Sequence, residues 1–194
     1  MTEIARESLL PLETYAKERK AFRERVMAHK KRRSIRLGEH VTLLFEDELT
    51  IRYQVQEMLR VERIFEEQGI QDELDAYNPL IPDGTNWKAT MLIEYPDVDE
   101  RQRMLARLKG IEGKVWIQVE GCDRVYAIAD EDLERENDEK TSSVHFLRFE
   151  LTEEMRKAVQ YGVGLAMGVD HPQYQARLDP VPAEPRAALA ADLA

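Results

Sequence analysis

The chain has 194 residues, of which 43% are hydrophobic and 34% are charged, with only 9 glycines and 8 prolines. This composition is typical of a folded domain and excludes collagen-like, low-complexity and disulfide-scaffold proteins. The net charge is −10, but ten Lys or Arg and two Glu between residues 17 and 36 give that stretch a local charge of +8. The other 174 residues therefore carry −18.

The apolar spacing predicts helices that alternate with groups of short strands. In chain order these are a helix over 12–33, strands over 34–37 and 41–45, helices over 47–68 and 70–77, a strand over 87–95, a helix over 99–109, strands over 114–120, 124–129 and 142–151, a helix over 152–159, and strands over 162–169 and 174–178. Asp47 and Thr152 are suitable N-caps for the helices that follow them, and Gly38 is suited to a tight hairpin turn.

Short turns, rather than crossover helices, join most of the predicted strands. This favours a single α+β domain over residues 1–178, with a mainly antiparallel sheet, helices packed on one face and a long N-terminal helix. Residues 179–194 contain three prolines and six alanines, and we expect them to form a loosely attached tail.

Several classes of protein are excluded by what the sequence lacks. No export signal is recognisable near the N-terminus, and no segment reaches the ~18 apolar residues of a membrane-spanning helix. Cys122 is the single cysteine, which excludes an intrachain disulfide and an all-cysteine iron–sulfur or zinc site. The glycines of 162–168 are not followed by the helix and acidic residue that a dinucleotide site needs. We therefore expect a cytoplasmic protein with no membrane segment, nucleotide motif or iron–sulfur cluster.

The basic stretch is the strongest indication of an interaction surface. Its cations are Lys17, Arg19, Lys20, Arg23, Arg25, Lys30, Lys31, Arg32, Arg33 and Arg36. Such a stripe could bind the phosphates of RNA or DNA, dock an acidic protein, or simply be a solvated helix face. The acidic remainder of the chain and the lack of a recognisable nucleic-acid module disfavour the first alternative. Arg23, Lys30, Lys31, Arg32 and Arg33 are the predicted contact residues.

Glu62 is the most unusual carboxylate, because it projects into the apolar stripe of the second predicted helix. The stripe consists of Ile51, Val55, Met58, Leu59 and Phe65. A carboxylate in a core must be paired, metal-bound or protonated, so Glu62 is a candidate metal ligand or proton-transfer group. The alternative is that it accepts hydrogen bonds from an arginine or a backbone donor, or that the helix end is wet.

His145 and His171 are the histidines that could join Glu62 in a two-histidine, one-carboxylate metal site. His145 lies on the same strand face as Leu147 and Phe149, so burial is expected, and a hydrogen-bonded core histidine is the alternative to a ligand. None of the four histidines follows a Glu at the spacing of a ferritin-like di-iron motif.

Several segments are similar to a family of bacterial proteins known only as a domain of unknown function. They are YQVQEMLRVERI at 53–64, EL at 73–74, YNPLIP at 77–82, AT at 89–90, IE at 93–94 and GVDHP at 168–172. The resemblance covers residues 9–178. Genes of this family are often found beside rubrerythrin-like and iron–sulfur oxidoreductase-like genes, so the resemblance implies a role in peroxide or iron stress. It brings no established functional residues.

The leading hypothesis is therefore a cytoplasmic accessory or interaction protein of unknown biochemical activity that contacts a protein partner, or a second copy of itself, through the basic stretch. A metal-binding protein or metal-dependent enzyme that uses Glu62 with His145 or His171 is one alternative. A nucleic-acid binder that uses residues 17–36 is the other.

Overall fold

Helices and short strands alternate along the chain in the computed structural model, which describes residues 3–194. The helices are α1 (Leu12–Lys31), α2 (Glu48–Val61), α3 (Glu67–Tyr77), α4 (Val98–Arg107), α5 (Glu153–Gln160) and α6 (Ala183–Ala191). The strands are β1 (Ser34–Leu37), β2 (Val41–Phe45), β3 (Asn86–Ile93), β4 (Val115–Val119), β5 (Arg124–Tyr126), β6 (Ile128–Ala129), β7 (Val144–Glu150), β8 (Leu165–His171) and β9 (Tyr174–Leu178). None of the helices in this part of the chain is long and apolar enough to cross a membrane.

The strands form two antiparallel sheets, with the orders β1-β2-β3-β7-β6 and β5-β4-β8-β9. The α+β class is confirmed, but the prediction of one sheet is wrong. The chain passes from one sheet to the other at Ala127, between β5 and β6, and the Ala127 N–H still donates to the Val115 carbonyl at 2.9 Å. The single strand predicted over 124–129 is therefore divided into β5, in the four-stranded sheet, and β6, in the five-stranded sheet.

One hydrophobic core is shared by the two sheets. Its largest side chains include Phe45, Trp87 and Phe149 from the five-stranded sheet, and Ile117 and Met167 belong to the four-stranded sheet. In β1 and β7 every second residue is buried, because alternate side chains of a strand point to the side of this core.

The N-terminal helices have a second, smaller core, to which α2 contributes Ile51, Val55 and Leu59. Asp47 caps α2 as predicted: its side chain accepts from Thr50 N at 3.0 Å, and the Thr50 hydroxyl accepts from Asp47 N at 2.9 Å. The predicted continuation of this helix to residue 68 is wrong. The helix ends at Val61, and Arg63 has a positive φ of 55° that turns the chain before α3.

The C-terminal segment is packed against the sheet, which corrects the prediction of a loosely attached tail over 179–194. Residues 183–191 form α6, and Val181, Leu189 and Leu193 belong to the main core. The Trp87 indole N–H donates to the Leu189 carbonyl at 2.9 Å. Prolines at positions 182 and 185 are tolerated because the first turn of a helix does not need their N–H groups.

Replacement of Leu189 by alanine should destabilise the whole protein. The Leu189 side chain is 0% exposed, so its truncation leaves a cavity and should lower the free energy of unfolding by about 2–5 kcal/mol. Leu133 is 56% exposed, and Leu133→Ala is the matched control that should change it by less than about 0.5 kcal/mol. Urea unfolding measures both. Equal, small effects would contradict the packing of the C-terminal helix.

Candidate functional site: the basic face of α1

Helix α1 is held against α2 by one side and leaves the other side in solvent. Tyr15 and Val26 are its buried residues. At 100° per residue, Lys17, Lys20 and Lys31 project from the opposite side of the helix. Glu13 and Glu24 project there as well, so cations and carboxylates share this side, but Glu13 already contacts Lys17 at 3.6 Å.

The inner side of α1 is anchored by an ion pair with α2. The Arg19 guanidinium donates to both oxygens of Glu57, at 2.7 and 2.8 Å, and the Tyr15 hydroxyl donates to the same carboxylate at 2.8 Å. The hydrogen bonds from Arg19 lower the pKa of Glu57 to about 2, with a further contribution from Tyr15. Burial, together with this carboxylate, raises the pKa of Tyr15.

Six cations of the basic stretch are exposed and make no ion pair within residues 3–194. Arg36 donates to the Glu39 carbonyl and Arg25 contacts an aromatic ring, whereas the side chains of the other four make no described hydrogen bond or ring contact. These four are Lys20, Arg23, Lys31 and Arg32, which we call the basic face. Arg25 lies over the Phe22 ring at 5.0 Å, and Lys30 lies 5.5 Å from the centre of the Tyr53 ring, so these two are partly engaged. The predicted contact residues Arg23, Lys31 and Arg32 are thus available to a partner, and Lys30 is half-buried beside them.

Arg33 is not part of this surface, which corrects its inclusion among the predicted contact residues. Its side chain is 3% exposed, and its guanidinium donates to the Phe45 carbonyl at 2.9 Å and to both carboxylate oxygens of Asp192. The Asp47 carboxylate lies 3.4 Å from Arg33 and 2.5 Å from His29 Nε2. The chain turns from α1 into β1 at this residue, so its side chain points inward while those of Lys31 and Arg32 point out.

The two carboxylates beside Arg33 have opposite pKa shifts. Burial raises the pKa of Asp192 against the opposing effect of Arg33. Burial acts on Asp47 in the same direction, but the Arg33 charge, the Thr50 N–H and His29 together outweigh it and lower the pKa of Asp47. Of the two carboxylates beside Arg33, Asp47 is therefore the one whose ionised form the surroundings favour.

Glu62 is exposed, contrary to the prediction that it enters an apolar stripe. Glu62 is the C-cap of α2, and the chain turns at Arg63, so the residues that follow do not continue the apolar face of the helix. Phe65, placed on the same stripe by extrapolation, is 72% exposed for the same reason.

His145 is fully buried, as predicted, but both of its ring nitrogens have partners. Nε2 lies 3.0 Å from the Ser142 carbonyl, which can only accept, so this nitrogen carries a proton. Nδ1 lies 2.5 Å from the carboxylate of Asp130, whose other oxygen accepts from Phe146 N at 2.9 Å. His145 thus ties the end of β6 to β7.

His171 is also a hydrogen-bonded histidine of the fold. Its Nε2 donates to the Lys109 carbonyl at 3.0 Å, and its Nδ1 accepts from Gln173 N at 3.1 Å. The structure therefore places Glu62, His145 and His171 on three separate elements, each histidine with its own partners. No group of three or more His, Cys, Asp or Glu side chains within residues 3–194 is arranged to hold a metal ion.

The protein is an α+β protein with two antiparallel sheets that share one core. Its N-terminal helices have a smaller core of their own, and its C-terminal helix packs into the main core. The family described as "Protein of unknown function (DUF3501)" matches residues 3–193, and the chain belongs to it. A crystal structure of a novel protein of unknown function from Burkholderia pseudomallei K96243 is 54% identical, with a TM-score of 0.94 over 100% of both chains. No curated protein matches the sequence.

Single substitutions can test whether Arg33 is buried and structural while Arg32 is exposed. Arg33→Ala leaves two carboxylates buried without their cation and should lower the free energy of unfolding by about 3–5 kcal/mol. Arg32→Ala removes an exposed charge and should change it by less than about 0.5 kcal/mol. Chemical denaturation of the two variants gives the comparison, and a similar cost for both would contradict the assignment.

The Glu57 ion pair predicts a pH-dependent contribution to stability. Because the folded-state pKa of Glu57 is lowered to about 2, its contribution is complete above the unfolded-state value and is lost as the pH falls towards 2. The difference in unfolding free energy between the wild type and Glu57→Gln should therefore shrink when unfolding is measured from about pH 5.5 down to about pH 2.5. Glu18→Gln, on the exposed side of α1, should show no such trend. A Glu57→Gln difference that is independent of pH would contradict the ion pair.

Proposed function

We propose that this protein is a cytoplasmic accessory protein that docks an acidic protein partner through the basic face, in a peroxide- or iron-stress system. The observation that carries the proposal is that Lys20, Arg23, Lys31 and Arg32 make no ion pair among the described residues, while the helix that bears them is fixed from its other side. The cellular setting rests on the family resemblance, and the free Cys122 is compatible with a reducing compartment.

Rigid presentation favours docking because less conformational entropy is lost on binding. The Arg19–Glu57 pair and the Tyr15 hydrogen bond hold the N-terminal half of α1, and the buried Arg33 holds the chain just after its C-terminal end. The partner would therefore meet cations that are carried on a preformed helix and its C-cap. Complementary charge would then increase the association rate and disfavour partners that are not acidic.

An acidic protein suits this surface better than a nucleic acid does. Single-stranded nucleic acids use exposed aromatic rings as stacking platforms. Phe22 and Tyr53, the aromatic residues near the basic face, are half-buried and already lie beneath Arg25 and Lys30.

Charge reversal tests this proposal. A variant with Lys20, Arg23, Lys31 and Arg32 all changed to Glu should bind a fluorescent poly-L-glutamate probe at least about tenfold more weakly than the wild type does. The control variant changes the exposed Arg103, Arg107, Lys114 and Lys140 to Glu, which alters the net charge equally. Wild-type binding, measured by fluorescence anisotropy, should weaken as salt shortens the Debye length to ~8 Å at 0.15 M.

Equal weakening in the control variant would show that only net charge matters and would overturn the proposal. Tighter binding of a single-stranded RNA of equal charge than of poly-L-glutamate would overturn it in favour of the nucleic-acid alternative. Salt-sensitive self-association, lost in the basic-face variant and detected by analytical ultracentrifugation, would identify a second copy as the acidic partner.

A further inference from the structure

A cavity of about 310 Å³ lies on the outer face of the five-stranded sheet, away from the basic face. Its floor is formed by β3 and β7, where Phe146 contributes an aromatic ring, and one wall is the turn that contains Pro79 and Leu80. A volume at the lower end of the ~300–1,000 Å³ range of ligand pockets indicates a small molecule.

A row of three charged residues crosses the sheet at this cavity. Lys88 pairs with Arg148 in the β3–β7 register, and Glu46 N donates to the Lys88 carbonyl at 2.8 Å on the other side. Glu46, Lys88 and Arg148 all line the cavity, together with Glu131 and Asp132 from the segment that follows β6. Both signs of charge are therefore present around one apolar floor.

Three of these five charges are neutralised within the protein. Arg148 donates to both oxygens of Glu131, at 2.8 and 2.7 Å, and also to Glu150. Asp132 accepts two hydrogen bonds from Arg135, at 2.6 and 2.7 Å. These pairs shape the rim of the cavity but leave little charge for a ligand.

Glu46 and Lys88 are different, because neither has a counter-ion within 4.0 Å among residues 3–194. Glu46 is 3% exposed, and within the described part of the chain its carboxylate accepts from the hydroxyls of Thr50 and Thr90 alone. Lys88 Nζ donates to the carbonyls of Pro79 and Ile81, at 2.6 and 3.0 Å, which leaves one of its three N–H donors unused. Burial lowers the pKa of Lys88.

We propose that this cavity binds a free α-amino acid with an apolar side chain, through Glu46, Lys88 and the apolar wall. The ligand ammonium donates to the buried Glu46 carboxylate, and its carboxylate accepts from the unused N–H of Lys88. The side chain packs against Phe146 and Leu80. Such a ligand supplies one charge of each sign where the protein leaves one of each uncompensated. This site is independent of the docking proposal, since it shares no residue with the basic face.

Three matched probes test the need for both charges by isothermal titration calorimetry. L-phenylalanine carries both groups, 3-phenylpropionate lacks the ammonium, and phenethylamine lacks the carboxylate. L-phenylalanine should bind at least about tenfold more tightly than either of the others, as expected for the loss of a charged hydrogen bond. No binding by L-phenylalanine, or equal binding by either of the others, would overturn the proposal.

Substitutions then assign the binding to this cavity. Glu46→Gln and Lys88→Met should each weaken binding of L-phenylalanine by about tenfold or more, and Lys140→Met, a change of an exposed lysine elsewhere, should leave it unchanged. Leu80→Trp fills the cavity without touching either charge, so it should abolish binding even if a charge variant fails to fold. Binding that survives Leu80→Trp in a folded protein would overturn the assignment.

Discussion

The buried guanidinium of Arg33 is the interaction on which the arrangement of this protein depends. It joins the chain just after α1 to the Phe45 and Glu46 carbonyls at the end of β2, and to Asp192 in the last residues of the chain. Asp47, the N-cap of α2, lies against the same group. A buried charge requires its partners, so these segments are held together by a constraint stronger than that of surface ion pairs.

This constraint connects the two surfaces to which we assign functions. Arg33 fixes the backbone of Glu46, whose side chain lines the cavity, and it also fixes the chain directly after α1, which bears the basic face. Lys31, Arg32 and Arg33 are consecutive in the sequence, but their side chains have different roles. Lys31 and Arg32 are exposed to solvent and accessible to a partner, whereas Arg33 is buried and bonded within the protein.

Local patterns in the sequence predict much of the fold. Strands β1, β2 and β9 have the predicted bounds, and the caps at Asp47 and Thr152 accept the expected backbone N–H groups, because turn and cap chemistry acts between residues a few positions apart. The division into two sheets was not predictable, since it depends on pairing across the whole chain. The sequence does not indicate the packed C-terminal helix, because its alanines and prolines show little amphipathicity.

The sites were less predictable, for the same physical reason. Arg33 and Asp192 are 159 positions apart, and no spacing rule connects them. The helical wheel places Glu62 wrongly because it is extended past Val61, the residue at which the helix ends. Glu46 and Lys88 carry no motif, and their shared cavity follows only from the register of β2 against β3 and from the turn at Pro79.

The state of the Arg33 side chain tests the account most directly. Nuclear magnetic resonance can follow solvent exchange of individual arginine Nε–H groups, assigned by comparison with Arg33→Lys and Arg32→Lys. We expect a slowly exchanging signal from Arg33, because its Nε–H is buried and donates to the Phe45 carbonyl, and rapid exchange from the exposed Arg32. Exchange of Arg33 as rapid as that of Arg32 would contradict the central claim that one cation of the basic stretch holds the protein together from within.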